Sequence, residues 1–221
     1  MKGSEILSHV DHTLLAPTAT WQDIKALCDE AITYHTTSVC IPASYVKRVK
    51  DAYDGRLKIC TVIGFPLGYD AKETKLAAMT TAIEDGADEI DAVINIGDAK
   101  NGDFDKITDE IKSLRKISTG KIFKVIIETC YLTDEEKICL CQCVTDGGAD
   151  YIKTSTGFGT KGATHDDVRL MRTHIGKNVK IKAAGGIRTI DDMKKYLAEG
   201  CDRLGCSAAV KLLKDKYDEE V

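Results

Sequence analysis

Short apolar runs alternate with longer amphipathic stretches along the whole chain. The runs lie near His9–Thr13, Ser38–Pro42, Lys58–Gly64, Glu89–Asn95, Phe123–Thr129, Tyr151–Ser155, Val179–Ala184 and Asp202–Cys206. Most are rich in Val and Ile and almost continuously apolar, as strands of a parallel sheet covered on both faces should be. Between them, Thr20–Tyr34, Ala71–Asp85, Asp103–Ile117, Thr133–Asp146 and Thr189–Ala198 have the length and patterning of helices. Thr133 and Glu136 have capping-box spacing, and Asp191 and Asp192 place negative charge in the turn after Thr189. Gly86, Gly147, Gly148 and Gly200 end helices, each with an acidic residue leading into the next strand. Eight such units without a linker predict one (β/α)8 barrel, of the TIM-barrel class, over residues 1–221. An open doubly wound sheet is the alternative, because periodicity does not report closure. The count of eight favours the barrel.

Polar residues break three strands at informative positions. Residues two apart on a strand share a face. On the fourth strand Ile90, Ala92 and Ile94 would face the helices, leaving Asp91, Val93 and Asn95 inward. On the seventh, Val179, Ile181 and Ala183 face outward and Lys180, Lys182 and Ala184 inward; on the sixth, Ile152 faces outward and Lys153 inward. Two lysines and an aspartate thus share one interior, near the strand ends where such barrels carry their sites. A structural ion-pair network is the bland alternative, since buried charge must be paired. Two cations against one carboxylate is the wrong balance for simple neutralisation. A lysine beside a second ammonium in a partly desolvated cavity has its pKa lowered. Its free amine attacks a carbonyl, the resulting iminium withdraws electrons from the neighbouring carbon–carbon bond, and the second lysine and the aspartate move protons. This chemistry calls for no metal and no cofactor.

Glycine-bearing loops follow the last three strands, in Lys153-Thr-Ser-Thr-Gly-Phe158, Ala183-Ala-Gly-Gly-Ile-Arg188 and Arg203-Leu-Gly-Cys-Ser207. Gly185 and Gly186 can bring backbone N–H groups to an anion just before the helix opening at Thr189, with Arg188 and Ser207 as side-chain donors. Loops after strands seven and eight are the usual phosphate cradle of this architecture, so a phosphorylated small molecule is the expected ligand. Gly157-Phe-Gly159-Thr-Lys-Gly162 matches a dinucleotide fingerprint, but Lys182 and Ala184 stand where its acidic residue belongs. His12 and His165 have no readable partner and are expected to be structural or at the surface.

Composition narrows the classes further. Of 221 residues, 43% are hydrophobic and 30% charged, and the formal charge of -4 provides no basic footprint for nucleic acid. No apolar run reaches the roughly 20 residues needed to cross a bilayer. The stretch MKGSEILSHVDHTLL lacks a signal-peptide layout, so a cytosolic protein is expected. Nine cysteines are scattered without CxxC pairs. Cys139, Cys141 and Cys143 fall at i, i+2, i+4 of a helix, where only the outer two share a face. Small buried or half-buried thiols are expected rather than a metal cluster.

Six strings resemble the class I deoxyribose-phosphate aldolase family: Asp11-His-Thr-Leu-Leu15, Val62-Ile-Gly-Phe-Pro-Leu-Gly68, Glu89-Ile-Asp-Ala-Val-Ile-Asn-Ile-Gly97, Ile126-Ile-Glu-Thr-Cys130, Ile152-Lys-Thr-Ser-Thr-Gly-Phe158 and Lys182-Ala-Ala-Gly-Gly-Ile-Arg188. The resemblance runs from about Val10 to Val210. It implies cleavage of 2-deoxy-D-ribose 5-phosphate to D-glyceraldehyde 3-phosphate and acetaldehyde, by a homodimer. By motif, Lys153 would form the Schiff base, Lys182 would be the second lysine and Asp91 the proton-relay carboxylate. Thr156, Gly157, Gly185, Gly186, Arg188, Gly205 and Ser207 match positions around the substrate and its phosphate; Asp11, Thr13 and Cys40 match the inner pocket. Ala16, Pro42 and Ala208 depart from the family pattern, on the rim and phosphate side. Some members depend on a C-terminal tyrosine tail, whereas the segment around Tyr217 reads as solvated. A Schiff-base aldolase for another sugar phosphate, and a barrel that binds such a compound without turning it over, remain as alternatives.

Overall fold

The computed structural model describes residues 1–221. In chain order the elements are α1 (Gly3–Leu7), β1 (Val10–Thr13), α2 (Trp21–Thr33), β2 (Ser38–Ile41), α3 (Val46–Tyr53), β3 (Ile59–Ile63), α4 (Lys72–Glu84), β4 (Glu89–Val93), α5 (Ile96–Asn101), α6 (Phe104–Ile117), β5 (Ile122–Ile126), α7 (Asp134–Gly147), β6 (Tyr151–Lys153), α8 (His165–His174), β7 (Lys180–Ala184), α9 (Ile190–Ala198), β8 (Arg203–Cys206) and α10 (Ala209–Leu213). The eight strands pair in parallel in sequence order, and β8 returns to β1 with Val10 opposite Leu204, so the barrel is closed. Closure leaves no sheet edge unpaired, which removes the open-sheet alternative.

Side-chain alternation sorts two layers. Ile90, Ala92, Ile94, Phe123, Val125, Ile127, Ile152, Ile181 and Ala183 are buried in the apolar layer between barrel and helices. Each buried Ile, Val or Phe side chain among them contributes about 1.5–3 kcal/mol by leaving water. Two residues assigned inward by alternation are elsewhere, both at strand ends where the pleat gives out. Asn95, just past β4, accepts from the backbone N–H groups of Gly97 and Asp98 and so caps α5. Lys180, the first residue of β7, is exposed, with Nζ 5.7 Å from the Tyr151 ring centre. The register decides the rest: Asp91 lies opposite Lys124, and Lys153 opposite Lys182.

The capping box predicted at Thr133–Glu136 is formed, and the acidic turn after Thr189 forms a second reciprocal box through Asp192. All nine cysteines are unpaired. Cys141 and Cys143 are buried while Cys139 is exposed, because α7 packs against both α6 and α8 and its buried arc is wide. The C-terminal segment is not a solvated tail. Ser4 N donates to Tyr217 O at 2.8 Å, Gly3 N to Glu219 O at 3.1 Å, and the Tyr217 and Tyr34 rings lie 5.9 Å apart. A Cβ on Gly3 would sit 2.4 Å from Lys216 O, so only glycine permits this close approach. The tail is thus tied to α1, which leads into the N-terminal end of β1, at the far end of the barrel from Lys153. No helix is long and apolar enough to cross a membrane.

Candidate active site

Asp91 is the hub of the barrel interior. Its Oδ2 accepts from Lys153 Nζ at 2.8 Å and Lys182 Nζ at 2.7 Å, and its Oδ1 from Lys124 Nζ at 2.9 Å. Asp11 accepts from Lys182 and Arg203, and from Ser38 Oγ at 2.8 Å. Glu89 closes the network, 2.6 Å from Lys124 and 3.0 Å from Arg203. The expected trio is therefore the upper part of a larger cluster in which Lys124, Lys153, Lys182 and Arg203 face Asp11, Glu89 and Asp91. Four cations against three carboxylates leave one positive charge uncompensated. The structural-network reading holds for the floor of this cluster and fails to neutralise its top.

Lys124, Glu89 and Arg203 were not anticipated from the sequence. A signal existed: Lys124 is a lone charge in Ile-Phe-Lys-Val-Ile, two residues from Ile122 and Ile126 on the inward phase.

The charges set one another's protonation. For Asp91, burial works to raise the pKa, but Lys124, Lys153 and Lys182 outweigh it and hold the carboxyl well below its ordinary range. Asp11 behaves likewise, burial being overcome by Lys182, Lys124 and Arg203. Burial pulls Lys182 down, yet Asp11 and Asp91 push it above the usual lysine value, and Lys124 is raised further by its anionic neighbours. Both remain ammonium groups at neutral pH.

Access separates the three lysines. Above the cluster opens a cavity of about 650 Å³. Lys153 lines it, whereas Lys124 and Lys182 are 0% exposed and do not. Thr13, Thr156, Gly157, Gly185, Gly186, Arg188, Gly205 and Ser207, all marked by the sequence, line the same cavity. Asp11 and Cys40 are fully buried beneath it, Cys40 standing opposite Cys60 of the next strand. Of the departures from the family pattern, Ala16 and Ala208 line the cavity and Pro42 does not.

The end of the cavity expected to receive a phosphate is built from the loops after β7 and β8. Gly185 and Gly186 have φ of 80° and 75°, the left-handed region in which glycine is unstrained. Arg188 forms no ion pair, so its guanidinium is uncommitted. The opening of α9 is a different matter: the backbone N–H groups of Arg188 and Thr189 both donate to Asp192, and Thr189 Oγ1 accepts from Asp192 N. The Arg188 and Thr189 amides, just past the glycine turn, are therefore taken up by the helix opening, and the Gly185–Gly186 turn is the part left for an anion, as the sequence predicts. The GxGxxG match is explained by packing, since a Cβ on Gly162 would lie 2.2 Å from the Gly185 backbone. His12 and His165 have partners that the sequence did not reveal, Glu30 at 2.8 Å and Glu199 at 2.7 Å.

Cys40, Cys60 and Asp91, and likewise Asp11, Cys60 and Glu89, bring their donor atoms within 4.8 Å of one another. Their carboxylates already accept from lysine or arginine, so these donor sets suit ammonium and guanidinium groups better than an added cation.

The comparisons with known proteins agree with this geometry. A family described as DeoC/LacD family aldolase matches residues 6–208. A deoxyribose-phosphate aldolase of Clostridium botulinum is 60% identical over 214 residues, covering 97% of this chain and 97% of that protein. One of Streptococcus agalactiae is 53% identical over 220 residues, covering 100% and 99%. The tetrameric deoxyribose phosphate aldolase of Aeropyrum pernix superposes with a TM-score of 0.90 at 32% identity, covering 96% of this chain and 91% of that one. Matched by the family from α1 to the end of the barrel, and by these relatives over nearly its full length, the chain belongs to the DeoC/LacD aldolases.

Proposed function

We propose that this aldolase cleaves 2-deoxy-D-ribose 5-phosphate, reversibly, to D-glyceraldehyde 3-phosphate and acetaldehyde, with Lys153 as the Schiff-base lysine. The observation that carries the assignment is that Lys153 alone of the three lysines around Asp91 lines the cavity, while it touches Asp91 at 2.8 Å. The opposite wall, with Gly185, Gly186, Arg188 and Ser207, has the donors that a phosphate needs. Relatives that are 53–60% identical over nearly the whole chain bear the same activity in their names.

On this reading, the Lys153 amine adds to C1 of the open-chain aldehyde, and loss of water yields the iminium. The C3 hydroxyl gives up its proton, the C2–C3 bond breaks, and its electron pair enters the iminium to form an enamine. Glyceraldehyde 3-phosphate leaves. Protonation of C2 and addition of water then release acetaldehyde and restore the amine. Asp91 and Lys182, joined at 2.7 Å, relay the protons through a water.

Sodium borohydride reduction of the protein mixed with deoxyribose 5-phosphate, followed by peptide mapping, tests this directly. A reduced adduct on Lys153 is expected. Folded protein that binds the substrate yet traps nothing would leave a silent binding barrel. A panel of other sugar phosphates tests the substrate, with deoxyribose 5-phosphate expected to give the highest kcat/KM. The family resemblance further leads us to expect a homodimer, and sedimentation velocity showing only monomer would overturn that.

A further inference from the structure

Glu128 follows β5 by two residues and was no part of the machinery above. It is a non-glycine residue at φ 53°, ψ 66°, a conformation that costs an ordinary side chain about 1 kcal/mol or more and persists only where neighbours enforce it. The neighbours are explicit. On either side of it, Ile127 N donates to Lys153 O at 3.1 Å and Thr129 N to Thr154 O at 2.9 Å, so its backbone is clamped to the strand that carries Lys153.

This turn aims the carboxylate at the loop after β6. It accepts from Thr156 N at 3.2 and 3.3 Å and from Thr156 Oγ1, and that hydroxyl in turn accepts from Phe158 N at 3.0 Å. The loop folds back over the group. A Cβ on Gly159 would stand 3.1 Å from the Glu128 carboxyl carbon and 2.8 Å from Cys130 Sγ, and Glu128 is 1% exposed. Burial raises its carboxyl above the ordinary value against the opposing effect of the Thr156 bonds and of Lys153. The held segment has a role in the cavity. Thr156, Gly157 and Phe158 line it, and Gly157 and Gly162 back the turn at Gly185, where an added Cβ would meet their Cα atoms at 3.4 and 3.0 Å.

We propose that Glu128 is a positioning residue: its carboxylate latches Thr156, and through the Thr156–Phe158 segment it shapes the wall against which the Gly185–Gly186 turn receives the substrate's phosphate. This rests on the substrate reading above. The latch acts on binding of the phosphorylated substrate and leaves the bond-breaking step to Lys153, Asp91 and Lys182.

The test compares steady-state kinetics of wild type, Glu128→Ala and Glu128→Gln with deoxyribose 5-phosphate and with unphosphorylated 2-deoxyribose. Wild type must first turn over and trap deoxyribose 5-phosphate; if it does not, the substrate reading fails and not the latch. Given that, Glu128→Ala should raise KM for the phosphorylated sugar by roughly tenfold or more, the scale of one lost charge-assisted hydrogen bond. Its kcat should change less, and its KM for deoxyribose little. Glu128→Gln should recover most of the loss, because one amide oxygen at the Oε2 position can accept from both Thr156 N and Thr156 Oγ1. An unchanged KM in Glu128→Ala, or equal losses on both sugars, would overturn the proposal. A collapse of kcat in both variants would instead make Glu128 a proton-transfer group. If Glu128→Ala does not fold, Glu128→Ser, whose hydroxyl is too short to reach Thr156, reads the same latch, and its KM for the phosphorylated sugar should rise as expected for alanine while an unchanged KM would overturn the proposal.

Discussion

Three buried lysines share Asp91, and their partners divide the labour. Lys124 and Lys182 each touch at least two carboxylates and have no opening onto the cavity, whereas Lys153 has one carboxylate partner and a free approach. Lys153→Leu should therefore abolish turnover and borohydride trapping alike, while thermal unfolding shows the fold retained. On the proposed mechanism, Lys182→Leu removes a proton relay, and it takes away one of three cations around Asp91. The expected loss in kcat is roughly 10²–10⁴-fold, the usual range for acid–base groups. A stopped-assay rate within a few-fold of wild type would take Lys182 out of the mechanism. Arg188, with no partner of its own, should act on the substrate side. Arg188→Ala should raise KM for the phosphorylated sugar by about tenfold or more with a smaller change in kcat, as loss of uniform binding to a charged group predicts.

At the scale of elements, the cavity depends on how closely the loops after β6 and β7 approach. Gly162 lies against the backbone of Gly185 and Gly186, with no room for a methyl group. Gly162→Ala should push these loops apart. The expected outcome is a loss of about 1–3 kcal/mol in stability, the cost of overpacking, together with a raised KM. Denaturant titration and steady-state kinetics measure the two, and a variant with wild-type stability and KM would show that the loops part freely. Strand and helix types were readable here because alternation and capping are local: Thr133, Glu136, Thr189 and Asp192 announce their helices from spacing alone. The spacing of Thr189 and Asp192 also fits the capping box that the structure forms there, in which Asp192 takes the Arg188 and Thr189 amides and not those of Gly185 and Gly186.

The whole molecule stakes part of its stability on the buried charge cluster. Asp11 and Asp91 have lowered pKa values in the folded protein. Their contribution is complete above the unfolded carboxyl value of about 4 and is lost as pH falls through the folded values. Lys124 and Lys182 are raised, so theirs is complete below the unfolded lysine value of about 10.4 and is lost as pH rises through the folded ones. Urea unfolding across pH should show a plateau between these limits and a decline on both sides. Stability that increases below pH 4 would contradict the arrangement.

Alternation is a property of neighbours in the chain, and it was enough to establish eight strand–helix units, the inward phase of Asp91, Lys153 and Lys182, and the glycine loops of the cavity. Closure and register are properties of the assembled sheet. They join Lys153 to Asp91 across 62 positions and Lys182 to Asp11 across 171. Only they reveal Lys124 as a third lysine on the same carboxylate, Lys153 as the one lysine that reaches the cavity, and Glu128 as the latch beside it. A local pattern states which way a side chain points; what it meets there depends on strands that come from elsewhere in the chain.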